Sequence, residues 1–188
     1  MGNRKWLILA LVFGIALVIV AFGYYFLDRP EPVNWELTLV GKNGEQRLLG
    51  YDEIRRLPSL EARGGFFTTV GVVNGPYEVK GVPLHDLCAL VGGAGPEDLV
   101  SVSAADGYSM VFGSDQLAGG IETYDPVTIH EAPHGKQVVL LIYEQEGRPL
   151  AESDGRPLRL AVVGDEALLT EGHNWVKWVN RIEVVSLD

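Results

Sequence analysis

Alternation of apolar and polar positions, the mark of half-buried strands, runs through most of this chain. Trp35-Glu36-Leu37-Thr38-Leu39-Val40 alternates, Asn43-Gly44 signals a tight hairpin, and Gln46 to Leu49 predicts the returning strand. Tyr51 to Leu57 reads as one or two helical turns stopped by Pro58. Phe66 to Val73, rich in aromatic and β-branched residues, predicts a strand turned by Asn74-Gly75-Pro76 and continued by Tyr77 to Lys80. Helical spacing takes over at Val82-Pro83 and lasts through Val91, with Leu84, Leu87, Cys88 and Val91 on one face and Gly92-Gly93 as the stop. Leu99 to Ser103 and Tyr108 to Phe112 flank an Ala105-Asp106-Gly107 turn, and Val138 to Glu144 is apolar enough for a central strand. Leu158 to Val163 and Val179 to Val185 predict two more strands, joined by a connection from Gly164 to Asn174. Strands with short helices and no internal repeat predict an α+β fold built on a mixed β-sheet.

Trp6 to Phe26 breaks this pattern, because it carries no charge at all. As a helix it extends roughly 31 Å, enough for a hydrocarbon core of about 30 Å. Arg4 and Lys5 precede it and Asp28 follows, so the positive-inside rule leaves the N-terminus in the cytoplasm and the rest outside. Signal peptides have shorter apolar regions and a small-x-small exit, whereas this run leaves through Tyr24, Tyr25 and Phe26. With no cysteine after it within reach of lipidation, a lipoprotein is excluded as well. The expected organisation is a cytoplasmic N-terminus over 1–5, one transmembrane helix over 6–26, a linker over 27–33 and an outer domain over 34–188. The chain is thus expected in the cell membrane, single-pass, with an extracytoplasmic C-terminal domain. Pro30 and Pro32 stiffen the linker.

Beyond residue 27 the chain holds 13 basic against 25 acidic residues, a net charge of −12, which argues against nucleic acid and against anionic lipid. Cys88 is the single cysteine, so there is no intramolecular disulfide, cysteine-rich zinc site or iron–sulfur cluster. His130 and His134 stand four apart, but Pro133 lies between them in a loop-like stretch, a poor frame for a metal. His85-Asp86 opens the helix after Pro83, where an acidic residue already suits the positive helix end. The segment from Gly172 to Trp178 is different. It interleaves His173, Asn174 and Lys177 with Trp175 and Trp178, a mixture that suits an anionic or heterocyclic ligand as well as a capped core.

Five motifs occur in order: GVPLHDL (Gly81 to Leu87), DGYS (Asp106 to Ser109), EGRPL (Glu146 to Leu150), DGRPLRL (Asp154 to Leu160) and GHNWVKW (Gly172 to Trp178). Together they resemble the sulfite-oxidase-like molybdopterin-binding domain, over roughly Trp35 to Val185. The resemblance implies a mixed α+β sulfite-oxidase-like fold that cradles a pyranopterin whose dithiolene holds molybdenum. It further implies that the PLR arginine and the Gly-x-x-x-Val-Lys-Trp loop contact the pterin and its phosphate. Carried onto this sequence, the cofactor-binding residues are Arg159, Gly172, His173, Asn174 and Lys177, with Asp154 at a position that is often polar. A guanidinium and an ammonium complement a phosphate, and glycine lets loop amides approach it.

The family holds its molybdenum with a cysteine thiolate shortly before the GVPL-like helix. Phe66 to Val73 occupies that place here and contains Thr68 and Thr69 but no cysteine; Val79 and Lys80 stand where a tryptophan is common. A hydroxyl replaces a soft thiolate poorly, and Cys88 lies beyond GVPL on the apolar helix face. Two expectations follow. One is a binding module that keeps a pterin-type pocket without molybdenum and the usual redox chemistry, holding a small ligand or another membrane protein near the lipid. The other is an active molybdopterin oxidoreductase with an atypical metal ligand.

Overall fold

The computed structural model describes residues 33–187 except His134. The expected span over Trp6 to Phe26, the cytoplasmic N-terminus and the second histidine of the His130–His134 pair therefore lie outside the described residues. Among the described residues no helix is long and apolar enough to cross a membrane.

Strand β1 (Glu36–Val40) and β2 (Gln46–Gly50) form the expected hairpin, followed by the short helix α1 (Tyr51–Ile54). Next come β3 (Leu60–Phe67), β4 (Val73–Pro83), α2 (Leu84–Ala89), β5 (Leu99–Ala104), β6 (Ser109–Phe112) and α3 (Ser114–Leu117). The chain closes with β7 (Val138–Gln145), β8 (Arg148–Pro149), β9 (Arg159–Val163), β10 (Leu169–Glu171) and β11 (Val179–Val185).

These strands make two mixed sheets. The five-stranded sheet runs β2-β1-β11-β5-β6, with β1 parallel to β11. The six-stranded sheet runs β10-β3-β4-β7-β8, with β10 parallel to β3 and β9 also paired to β7. Its central β7 is buried on both faces, which is why its sequence reads as one apolar run rather than an alternation. Val139, Leu141 and Tyr143 enter the main core with Leu37, Leu39, Val100, Val102 and Ile182 of the other sheet. Leu140 and Ile142 point the opposite way, into a second cluster with Val79, Ala161, Val163 and Trp175. Strand β9 divides likewise: Leu160 and Val162 join the main core while Ala161 and Val163 join the second cluster. Period-two alternation therefore puts Arg159 on the second cluster's side.

The expected strand over Phe66 to Val73 needs correction. Strand β3 starts earlier, at Leu60, and stops at Phe67, and the chain turns over residues 68–72. Gly71 takes φ 78°, the Thr68 amide donates to the Val72 carbonyl at 2.9 Å, and Thr68 Oγ1 accepts from the Val72 amide at 3.1 Å. That local hydrogen bonding closes the hairpin ahead of Asn74-Gly75-Pro76, which lie inside β4. The expected helix is also shorter: Pro83 caps it, and the turn unwinds after Ala89 into Gly92 at φ 97° and Gly93 at φ 77°. Its buried face is nonetheless Leu84, Leu87 and Cys88, joined by Val91 just beyond. The connection from Gly164 to Asn174 contains β10 and a 3-10 turn at Gly172–Asn174, because Leu169 and Thr170 pair with Gly65 and Phe66.

Candidate functional site

Arg159 opens β9, where the following residues are uniformly apolar and buried, and it is itself only 2% exposed. Its guanidinium carbon lies 4.7 Å from the Phe66 ring centre and 5.1 Å from that of Trp175, whose rings are 5.1 Å apart. Aromatic faces of this kind attract a cation but satisfy none of its N–H donors. Nε has no hydrogen-bond partner, and no carboxylate among the described residues forms an ion pair with this side chain. Burial lowers its pKa from the ordinary guanidinium range to about 10, opposed by the field of Asp154 and then Tyr77. At neutral pH it is still a cation, buried and without a counter-ion.

It faces a cavity of about 630 Å³, in whose wall Gly172, His173, Trp175, Lys177 and Trp178 also stand. The GHNWVKW loop gets there through backbone pairing: Arg159 and Lys177 form an isolated antiparallel bridge, and the Leu160 amide donates to the Val176 carbonyl at 2.8 Å. Trp175 is fixed by its indole N–H, which donates to Thr170 Oγ1 at 2.9 Å with both groups buried. Gly172 lets the loop lie close to β3, since a Cβ there would sit 3.0 Å from the Phe67 carbonyl oxygen, a tighter contact than usual. Trp178 adopts φ 53°, and its carbonyl accepts from the Ala105 amide at 2.9 Å. A left-handed non-glycine residue costs on the order of 1 kcal/mol, and here it turns the chain from the cavity wall into β11.

The expected site residues come together unequally. Arg159, Gly172, His173 and Lys177 line the cavity. Lys177 Nζ donates to the Ser153 carbonyl, just ahead of DGRPLRL, and lies 5.9 Å from the Trp178 ring centre. His173 Nδ1 is 3.0 Å from Glu171 Oε2, and its carbonyl accepts from Tyr108 Oη at 3.2 Å. Asn174 is buried behind the wall with Oδ1 unpartnered. Asp154 stands outside the lining and acts on Arg159 only through its field. Reasoning from sequence missed Asn74 and Glu171 in the wall, as well as the role of Phe66 as a face for the arginine. It also missed Thr170 as the partner of Trp175. The adjacent pair Phe66-Phe67 was the available signal, since neighbouring strand residues face opposite sides.

Chain-wide comparison is decisive about kinship. Residues 26–188 match the model of the oxidoreductase molybdopterin binding domain. The chain belongs to that family. Its fold is similar to the crystal structure of the sulfane dehydrogenase SoxCD from Paracoccus pantotrophus, with a TM-score of 0.62 and 19% identity. The similarity covers 84% of this chain but 39% of that one, so the chain spans well under half of that protein's length. No curated protein matches it in sequence.

The donors of this molybdopterin-binding domain suit the organic half of such a cofactor. The cavity offers aromatic walls, a glycine where backbone must come close, an unpaired buried guanidinium and an ammonium. They do not suit the metal half. Thr68 and Thr69 line the cavity, and no sulfur does. Cys88 is packed in the main core from α2, lines a separate cavity, and burial pushes its thiol up to about 12. Among the described residues no three His, Cys, Asp or Glu side chains cluster as a metal site.

Proposed function

We propose that this chain is a membrane-tethered, extracytoplasmic molybdopterin-binding-type domain that holds a pterin-type, phosphate-bearing ligand without ligating molybdenum, and therefore lacks the family's usual redox chemistry. The observation that carries this reading is the Arg159 guanidinium, 2% exposed and unpaired in the wall of an aromatic cavity. A buried charge without a counter-ion is costly, and an anion entering the cavity would supply the missing partner. Arg159 would bind and orient the ligand's phosphate, and Lys177 would add a second positive charge. Trp175 and Phe66 would stack on its planar part and exclude water. Asp154 would support the arginine from behind, while Gly172, His173 and Asn174 would present loop amides and polar atoms. In the family, a bound molybdenum supplies oxygen-atom and two-electron transfer. The donors here give that metal no thiolate.

The test is to purify the full chain in mild detergent and measure molybdenum and pterin together. Pterin without stoichiometric molybdenum supports the reading. Stoichiometric molybdenum would instead establish an active oxidoreductase with an atypical ligand. Arg159→Ala with Lys177→Ala should abolish copurification of the pterin with the fold intact, and unfolding of this double variant would show that the two residues are structural.

A further inference from the structure

The turn between β3 and β4 has a property that the ligand site does not use. Gly64 to Tyr77 is the longest run without a charged residue anywhere after residue 27, in a region with 38 such residues in all, 13 basic and 25 acidic. A charge-free stretch is ordinary when it is buried, as around α2. Here its tip stands in solvent, with Val70 82% and Val72 55% exposed. Two other well-exposed apolar side chains lie singly beside charges: Leu48 follows Arg47, and Val127 lies close to Asp125.

The tip is also closed on itself. The Thr68 amide donates to the Val72 carbonyl, the Gly71 amide to the Thr68 carbonyl at 2.8 Å, and the Val72 amide to Thr68 Oγ1. Asn74 Nδ2 adds a bond to the Val72 carbonyl at 3.2 Å. These bonds satisfy the amides of Thr68, Gly71 and Val72 inside the turn, and those of Thr69 and Val70 are left for the water that a headgroup layer still holds.

The sequence limits what can cover the tip. The linker over residues 27–33 reaches about 25 Å when fully extended, while a domain of this length has a radius of gyration of about 15 Å. With the membrane anchor proposed above, such a linker would hold the domain within roughly its own width of the lipid. Its net charge of −12 after residue 27 turns most of the surface away from anionic headgroups, leaving an uncharged valine tip as the face suited to zwitterionic lipid.

We propose that the Thr68–Val73 tip sits in the headgroup layer of the membrane to which the chain is tethered. Because Thr68 and Thr69 of this turn also line the 630 Å³ cavity, the cavity mouth would open at the lipid surface. Its ligands would then arrive from, or be released to, that layer. The inference rests on the membrane anchor proposed above and is independent of which ligand binds.

The test uses the full chain reconstituted in phosphatidylcholine vesicles. Val70→Cys carries an environment-sensitive fluorophore, and Leu48→Cys on β2 serves as the control. Cys88, buried with a raised thiol pKa, stays unlabelled in the folded protein. The expected result is strong quenching at position 70 by a nitroxide on the lipid headgroup and little quenching at 48. Val72→Asp in the Val70→Cys background should remove most of that quenching with an unchanged far-ultraviolet circular dichroism spectrum. A chain that floats with the vesicles but shows no quenching at 70, or equal quenching at both positions, overturns the proposal. A chain that does not float overturns the anchor and this inference together, and leaves the pocket reading standing.

Discussion

Replacing Arg159 with methionine separates a ligand-binding residue from a structural one, because the two roles predict opposite signs for stability. Lowering the guanidinium from its ordinary range to about 10 corresponds to about 3 kcal/mol against the charged form in the folded protein. The Phe66 and Trp175 faces return about 1 kcal/mol each. The net penalty of about 1 kcal/mol disappears in Arg159→Met, whose unbranched side chain fits much of the same space. For a domain of this length the ligand-free variant should melt about 2–4 °C higher than the parent. Urea unfolding of the full chain in detergent, followed by tryptophan fluorescence, measures the difference. Millimolar inorganic phosphate should raise the parent's stability and leave the variant's unchanged, because only the parent offers the anion a buried cation. A variant destabilised by about 2 kcal/mol or more, or one that responds to phosphate like the parent, would refute the reasoning.

Other substitutions probe the frame around the site. Gly155 has φ 94°, and a Cβ there would lie 2.7 Å from Lys177 Cβ, so Gly155→Ala should cost about 1–3 kcal/mol and weaken phosphate binding, as read by denaturation with and without phosphate. Cys88, with its thiol pushed up to about 12 by burial, should ignore Ellman's reagent at pH 8 and react once urea unfolds the chain. The Gly95 amide at 2.6 Å, helped by Lys42, holds the Asp98 carboxyl below the usual carboxylate range. Its folded pKa is depressed, so its contribution is present above the unfolded value and fades as pH falls through the folded one. Asp98→Asn should flatten the acid limb of a stability-against-pH curve, with little change in slope above neutrality.

How far the sequence disclosed the fold can be traced through particular residues. The hairpin of β1 and β2 and the strand β11 were legible because Asn43-Gly44 and the alternation around Leu37 and Ile182 act locally. The end of β3 was not, since Phe66, Phe67 and Val70 share strand character and the break depends on Gly71 and the Thr68 hydroxyl. Strand β10 escaped because it is three residues long and exists through pairing with distant β3. Arg159 stands in the cavity wall, and the motif that contains it had singled it out. That it forms no ion pair among the described residues is a tertiary fact that no spacing encodes. Asp154 shows the converse, a motif residue that the fold leaves outside the cavity lining.

The GHNWVKW loop joins β10 of the six-stranded sheet to β11 of the five-stranded one. The cavity is therefore walled by the crossover between the sheets, with Arg159 on one side of it and β11 leaving on the other. A ligand held by both Arg159 and Lys177 would act as a staple across that crossover. Occupancy should slow amide hydrogen exchange in β5 and β11, well away from the contact atoms, and make the opening of the two sheets a single event.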